Sequence, residues 1–209
     1  MTGAPNAAGW PHIYREGSAN SSILLMLHGT GSNEQDIAQL AAELDPSAGV
    51  LAPRGRTQEK GMLRWFARRG EGLFDVDDVI LRAGELAQFV GEAREQYGLG
   101  DRQFIAVGFS NGANIALATA MLHADVIDRV ITFSGMYPFG DRTTEGDLSG
   151  SRFLVLNGRT DPMAPLESVT TVVQELRRQG ADVEQVLRDG GHGVASSDLS
   201  AAVGWLKRL

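Results

Sequence analysis

Six short runs of β-forming residues, set apart by stretches of helical periodicity, constrain this chain more than any other feature. They are Ile23–Leu27, Val50–Ala52, Phe104–Val107, Val130–Phe133, Phe153–Leu156 and Val183–Leu187. Most are too uniformly apolar for a strand with one wet face. Runs of this kind suit strands buried on both faces, as in a parallel sheet. Helical spacing fills the gaps. Ile37, Leu40, Ala41 and Leu44 share a face, and Ser32 with Gln35 predicts a capping box ahead of them. Val79, Ala83, Leu86, Val90 and Ala93 recur at steps of three and four, as do Leu166, Val169, Val173 and Leu176 behind Pro165, a good first-turn residue. Leu199, Val203 and Leu206 mark a closing helix. The alternation predicts an α/β fold: a mostly parallel central sheet with helices on both faces. Arg54–Gly72 and Tyr137–Gly150 read as loops.

The 209 residues suffice for a single domain over 1–209, with residues 1–10 a candidate disordered end. A net charge of -7 argues against general nucleic-acid binding. The absence of cysteine removes disulfides, thiolate metal sites and a cysteine nucleophile. Met1 to Gly9 has neither the basic start nor the apolar core of a signal peptide, and Ile23–Leu27 is far too short to span a bilayer. A cytoplasmic location without membrane insertion is therefore the expectation. No His, Asp and Glu cluster has ligand spacing, so no metal is expected.

Gly108-Phe109-Ser110-Asn111-Gly112 matches G-x-S-x-G, directly after the run Phe104–Val107 and at the start of the helix-prone Ala113–Leu122. A serine on such a strand-to-helix turn is lifted above the sheet edge, and the glycines allow the tight backbone. In this arrangement the acid and the base follow in the order Ser, Asp or Glu, His. His192, in Gly190-Gly191-His192-Gly193, is the histidine that follows both Ser110 and an acid. Asp161 follows the run Phe153–Leu156, at the end where α/β sites are built, whereas Glu167 lies inside a helix pattern, Asp182 at a strand start and Asp189 close to His192 in sequence. Ser110, Asp161 and His192 are thus the expected nucleophile, orienting acid and general base. The glycine-rich turn His28-Gly29-Thr30-Gly31 can aim one backbone N–H at a forming oxyanion, and the N–H of Asn111 is the expected second donor. His28 itself precedes the nucleophile and is expected to be structural.

HGTGSNEQDI, LAPRG, RWFARRGEGLFD, GFSNGANIAL, NGRTDPMAP and GGHGV together resemble the phospholipase/carboxylesterase family of α/β-hydrolases, which includes acyl-protein thioesterases. The nearest likeness is to bacterial carboxylesterases associated with hydroquinone and aromatic-compound resistance. It runs from about Leu24 to Leu209. It implies esterase activity on short acyl esters without metal or cofactor, Ser110, Asp161 and His192 as the triad, and Thr30 with Asn111 as oxyanion donors. Acyl-protein thioesterases typically carry Gln after the nucleophile, where this chain has Asn111. The backbone donor survives that change, and the case for thioester substrates weakens.

About twenty residues separate Phe133 from Phe153, room for a loop and not for a cap domain. The site is expected to be shallow, with Trp65, Phe66, Phe74, Met136 and Tyr137 each either lining an acyl or aromatic pocket or pinning its loop to the body. Arg54, Arg56, Lys60, Arg64, Arg68 and Arg69 form a basic stretch, read either as a solvated face or as a means of attracting anionic substrates. The leading reading is a serine carboxylesterase acting on a small-molecule ester. A thioesterase or lysophospholipase, and a non-catalytic sensor on the same fold, are the alternatives. A homodimer is compatible with the sequence and not required by it.

Overall fold

The computed structural model describes residues 9–70 and 72–209. In chain order the elements are β1 (His12–Arg15), β2 (Ile23–Leu27), α1 (Glu34–Leu44), β3 (Gly49–Pro53), β4 (Thr57–Glu59), β5 (Met62–Arg64), β6 (Arg68–Gly70) and β7 (Leu73–Phe74). There follow α2 (Val76–Gln96), β8 (Phe104–Phe109), α3 (Asn111–Leu122), β9 (Arg129–Phe133), β10 (Arg152–Gly158), α4 (Leu166–Arg178), β11 (Asp182–Arg188) and α5 (Ser196–Leu206). Seven strands form the main sheet in the order β1-β3-β2-β8-β9-β10-β11. All its pairings are parallel except that of β1 with β3.

The apolar runs behave as two-faced strands. Ile23, Leu25 and Leu27 join one core, while Leu24 and Met26 join the other. Phe104 and Ala106 alternate in the same way with Ile105 and Val107, and Phe153 and Val155 with Leu154 and Leu156. The first core is covered by residues of α2, α3 and α4, the second by α1 and α5. This is the three-layer α/β sandwich expected of two-faced strands.

Several local expectations are corrected. The cap of α1 is Asn33, whose Oδ1 accepts from the N–H groups of Gln35 (2.8 Å) and Asp36 (3.1 Å). Ser32, one residue too early, instead donates to Asp36. Arg54–Gly72 is not plain loop: it holds the hairpin β4–β5 and the first strand of a second, which β7 completes just beyond it. Neither has apolar alternation to announce it, yet Lys60 and Gly61, both at positive φ, make the primed turn that closes β4 on β5. β1 carries no hydrophobic signal of its own, because HIYR is a four-residue edge strand. Trp10 is buried against Phe89 and Trp65, so a disordered end covering residues 1–10 does not extend that far; residues 1–8 lie outside the described part. In α5 the inward residues are Asp198, Ala202 and Trp205, and Leu199, Val203 and Leu206 are only partly covered. Residues 134–151 carry no helix or strand, so no cap domain stands over the sheet. Among the described residues, no helix is long and apolar enough to cross a membrane.

Candidate active site

Parallel strands bring all their carboxyl ends to one edge, and the loops leaving that edge carry the site. α1 takes the chain from β2 to β3 on one side, and α2 returns it to β8 on the other side of β2. The order thus reverses between β2 and β8, opening a crevice where Thr30 and Ser110 lie. Asp161 and His192 follow β10 and β11 at the same edge.

Ser110 has φ 54° and ψ -117°, a backbone state rare for residues with a side chain. Tight packing enforces it. A Cβ on Gly112 would lie 2.0 Å from the carbonyl oxygen of Leu27, and one on Gly108 would lie 2.4 Å from the carbonyl oxygen of Gly112. The amide of Ser110 donates to Phe133 O at 2.9 Å, tying the turn to β9. Strand, turn and helix therefore hold one serine at the mouth of the crevice.

His192 is fixed by its partners. Its Nδ1 lies 2.8 Å from Asp161 Oδ2, and the aspartate side chain is fully buried while the ring is 19% exposed. The second carboxylate oxygen accepts from the amides of Met163 (2.8 Å) and Ala164 (3.1 Å). An acceptor at Nδ1 places the ring proton there and leaves Nε2 free to accept. The rings of His192 and Phe109 are 5.1 Å apart, so the histidine stands beside the residue that precedes Ser110. Of the rival acids, Asp182 pairs with Arg152, Asp189 with Arg159, and Glu167 lies in α4.

The histidine loop has supports that no motif announced. Arg188 Nη2 donates to the carbonyls of Gly191 (3.0 Å) and Gly193 (2.8 Å), on either side of His192. Its Nε donates to the buried Asp198 at 2.6 Å, and Asp198 also accepts from Ala195 N. Ser134, at φ 52°, donates its hydroxyl to Gly193 O at 3.0 Å. These residues are far apart in sequence, and only their meeting gives them meaning.

Among the described residues, the N–H of Thr30 has no acceptor, whereas those of Gly31 and Ser32 are bonded to Leu63 O and Gly29 O. Asn111 opens α3, where the first N–H groups lack helical partners. Its side chain is used elsewhere: Oδ1 accepts from Trp65 N at 2.8 Å. His28 is structural. Gly55 N–H donates to its Nε2 (2.9 Å), so Nδ1 carries the proton and donates to Gly29 O (2.8 Å). Burial lowers its pKa, outweighing the Gly29 carbonyl and the Glu34 carboxylate, which raise it.

The aromatic border divides. A cavity of about 40 Å³ beside Ser110 is lined by Phe74 and Met136 with Thr30, Asn111, Arg64 and Arg68. Tyr137 lies farther out, along an adjoining open cavity of about 300 Å³ that Phe74 and Met136 also line. Trp65 and Phe66 are not on the wall: both are fully buried in the core, Trp65 with its indole N–H on His28 O. Large aromatics on a hairpin arm gain more by burying their area under it than by facing a wet pocket.

Residues 8–209 match the Phospholipase/Carboxylesterase family. The chain belongs to this family. The protein MhqD of Bacillus subtilis (strain 168) is 38% identical over 197 residues, covering 94% of this chain and 97% of that one. The crystal structure of the Bacillus cereus carboxylesterase superposes with a TM-score of 0.91 at 32% identity, covering 96% of this chain and 95% of the other. YahD, solved with malic acid, superposes at 0.88 with 28% identity, over 95% and 98% of the two chains. The family makes this chain a hydrolase of the carboxylesterase type with a small-molecule substrate.

Proposed function

We propose that this family member is a serine carboxylesterase hydrolysing short-chain or aromatic carboxylic esters through an acyl-serine intermediate. The observation that carries the reading is the 2.8 Å bond from His192 Nδ1 to buried Asp161, beside a serine held at a strained elbow. His192 Nε2 takes the Ser110 proton as Oγ attacks the ester carbonyl. Asp161 keeps the ring in the useful tautomer and stabilises the imidazolium. The backbone N–H groups of Thr30 and Asn111 receive the oxyanion, helped by the positive end of α3. The imidazolium then protonates the leaving alcohol, and water, deprotonated by the same ring, releases the acid. The small cavity with Phe74 and Met136 supports short acyl groups. Malic acid in the YahD structure supports including acidic esters among the candidates.

Turnover of p-nitrophenyl acetate and butyrate tests the reading. Ser110→Ala should fall to the oxyanion-hole and binding background, roughly 10³ over water. A fluorophosphonate probe should label Ser110 and no other serine. An unchanged rate in the alanine variant overturns the assignment, and faster turnover of matched thioesters would move the substrate to the thioesterase reading.

A further inference from the structure

Two guanidinium groups share one carboxylate beside Ser110. Arg64 Nη1 lies 3.4 Å from Glu59 Oε2, and Arg68 Nε donates to both Glu59 oxygens, at 3.2 and 2.9 Å. Both arginines line the cavity at Ser110, and among the described residues no carboxylate does. The Arg64 side chain is only 4% exposed, a costly place for a cation whose counter-charge is shared. Its Nε donates to Phe66 O (3.3 Å) and its Nη1 to Thr30 Oγ1 (3.1 Å). Among the described residues nothing accepts from its Nη2, nor from either terminal nitrogen of Arg68. Burial and the adjacent Arg68 charge both lower the Arg64 pKa, against the opposing pull of Glu59. Among the described residues, the corner is short of negative charge.

The rest of the basic stretch behaves differently. Arg54 pairs with Glu34, Arg56 with Glu85 and Arg69 with Asp75, and none of the three lines the cavity at Ser110. What the sequence presents as one charged run divides into arginines paired one-to-one with carboxylates and, among the described residues, two that share a single carboxylate at the site.

We propose that Arg64 and Arg68 form a subsite for a carboxylate of the substrate, so that the preferred esters are half-esters of small dicarboxylic acids. One carboxyl is esterified and faces Ser110, and the other is ionised against the guanidinium pair. The planar fork of arginine matches a carboxylate. A cavity of about 40 Å³ suits a compact anion better than a long acyl chain. Water supplies the hydroxyl of the released carboxyl and the proton of the released alcohol, leaving a dicarboxylate. The inference rests on the esterase reading above, and the test separates the two.

Monoethyl succinate and ethyl butyrate differ by a carboxylate in place of a methyl. Proton release at constant pH should give the half-ester the higher kcat/KM by about tenfold or more. That ratio should fall toward one in Arg68→Gln. Because it is taken within each variant, a general loss of activity cancels. Arg68 is the residue to change, since Arg64 also holds Thr30 and Phe66. Calorimetry on Ser110→Ala removes the dependence on turnover: monoethyl succinate should bind about tenfold tighter than ethyl butyrate or ethyl phosphate. Adding Arg68→Gln should abolish that margin. If neither ester is hydrolysed, the esterase reading fails and the calorimetry still decides the subsite. Equal affinities, a preference for ethyl phosphate, or a margin that survives Arg68→Gln overturns it.

Discussion

His28 shows how one buried side chain ties the crevice to conditions outside it. It accepts from Gly55 N–H at Nε2 and donates to Gly29 O, so its neutral form alone satisfies both partners. Its pKa in the fold is lowered, chiefly by burial. In the unfolded chain the ring titrates near ~6.5. A proton therefore binds the unfolded state more readily. The stability His28 contributes is complete above about pH 6.5 and declines as pH falls from there toward the lowered folded value. Urea midpoints measured from pH 7.5 to 5 should drop more steeply for the wild type than for His28→Gln, which cannot titrate. Parallel curves would remove His28 from the account. Asn111 makes a related point. Its backbone is the expected oxyanion donor, while its side chain anchors Trp65, next to Arg64. One residue after the nucleophile thus connects the helix start to the hairpin arm.

At the scale of elements, the strand-to-helix turn after β8 is where packing leaves no slack. Gly112→Ala would press a methyl against the carbonyl oxygens of Leu27 and His28, at 2.0 and 2.6 Å. Leu27 ends β2 and His28 follows it, and neither backbone can retreat without moving the turn that carries Thr30. This variant should lose more than about 4 kcal/mol or fail to fold. Gly91 is the contrasting case. It lies in α2 with open space where a Cβ would go. Gly91→Ala should raise stability by about 0.5–1 kcal/mol through helix propensity alone. Thermal melts of the pair measure both effects. A mild Gly112→Ala would mean that the elbow is looser than its contacts imply. Periodicity announced α2 and β8 well, because long amphipathic stretches and unbroken apolar runs carry strong local signals. The two hairpins between β3 and α2 carried none, since strands of two and three residues take their stability from the body beneath them.

Across the whole molecule, the chain's start braces the arm that carries Arg64 and Arg68. Trp10 packs against Phe89 of α2 (5.0 Å) and Trp65 (6.4 Å), with the Arg56 guanidinium 4.9 Å above its ring and its indole N–H on Arg54 O. Trp10→Ala should cost about 3–5 kcal/mol and lower Tm by roughly 10 °C. A shift of only a degree or two would show that the arm holds itself. The sequence alone determined the layered α/β architecture, the order of its main strands and helices, and the three residues expected to do the chemistry. Those signals are local: hydrophobic period, a glycine-flanked serine, and an acid and a histidine placed after strand ends. Only the tertiary structure decided that Trp65 and Phe66 are core, that Asn33 and not Ser32 caps α1, and that Arg188, Asp198 and Ser134 brace the histidine loop. It likewise separated Arg64 and Arg68, which line the cavity at Ser110, from a basic run whose other arginines pair with carboxylates and do not line it. Each of those outcomes depends on which distant surfaces meet, and neither spacing nor composition records a contact between residues dozens of positions apart.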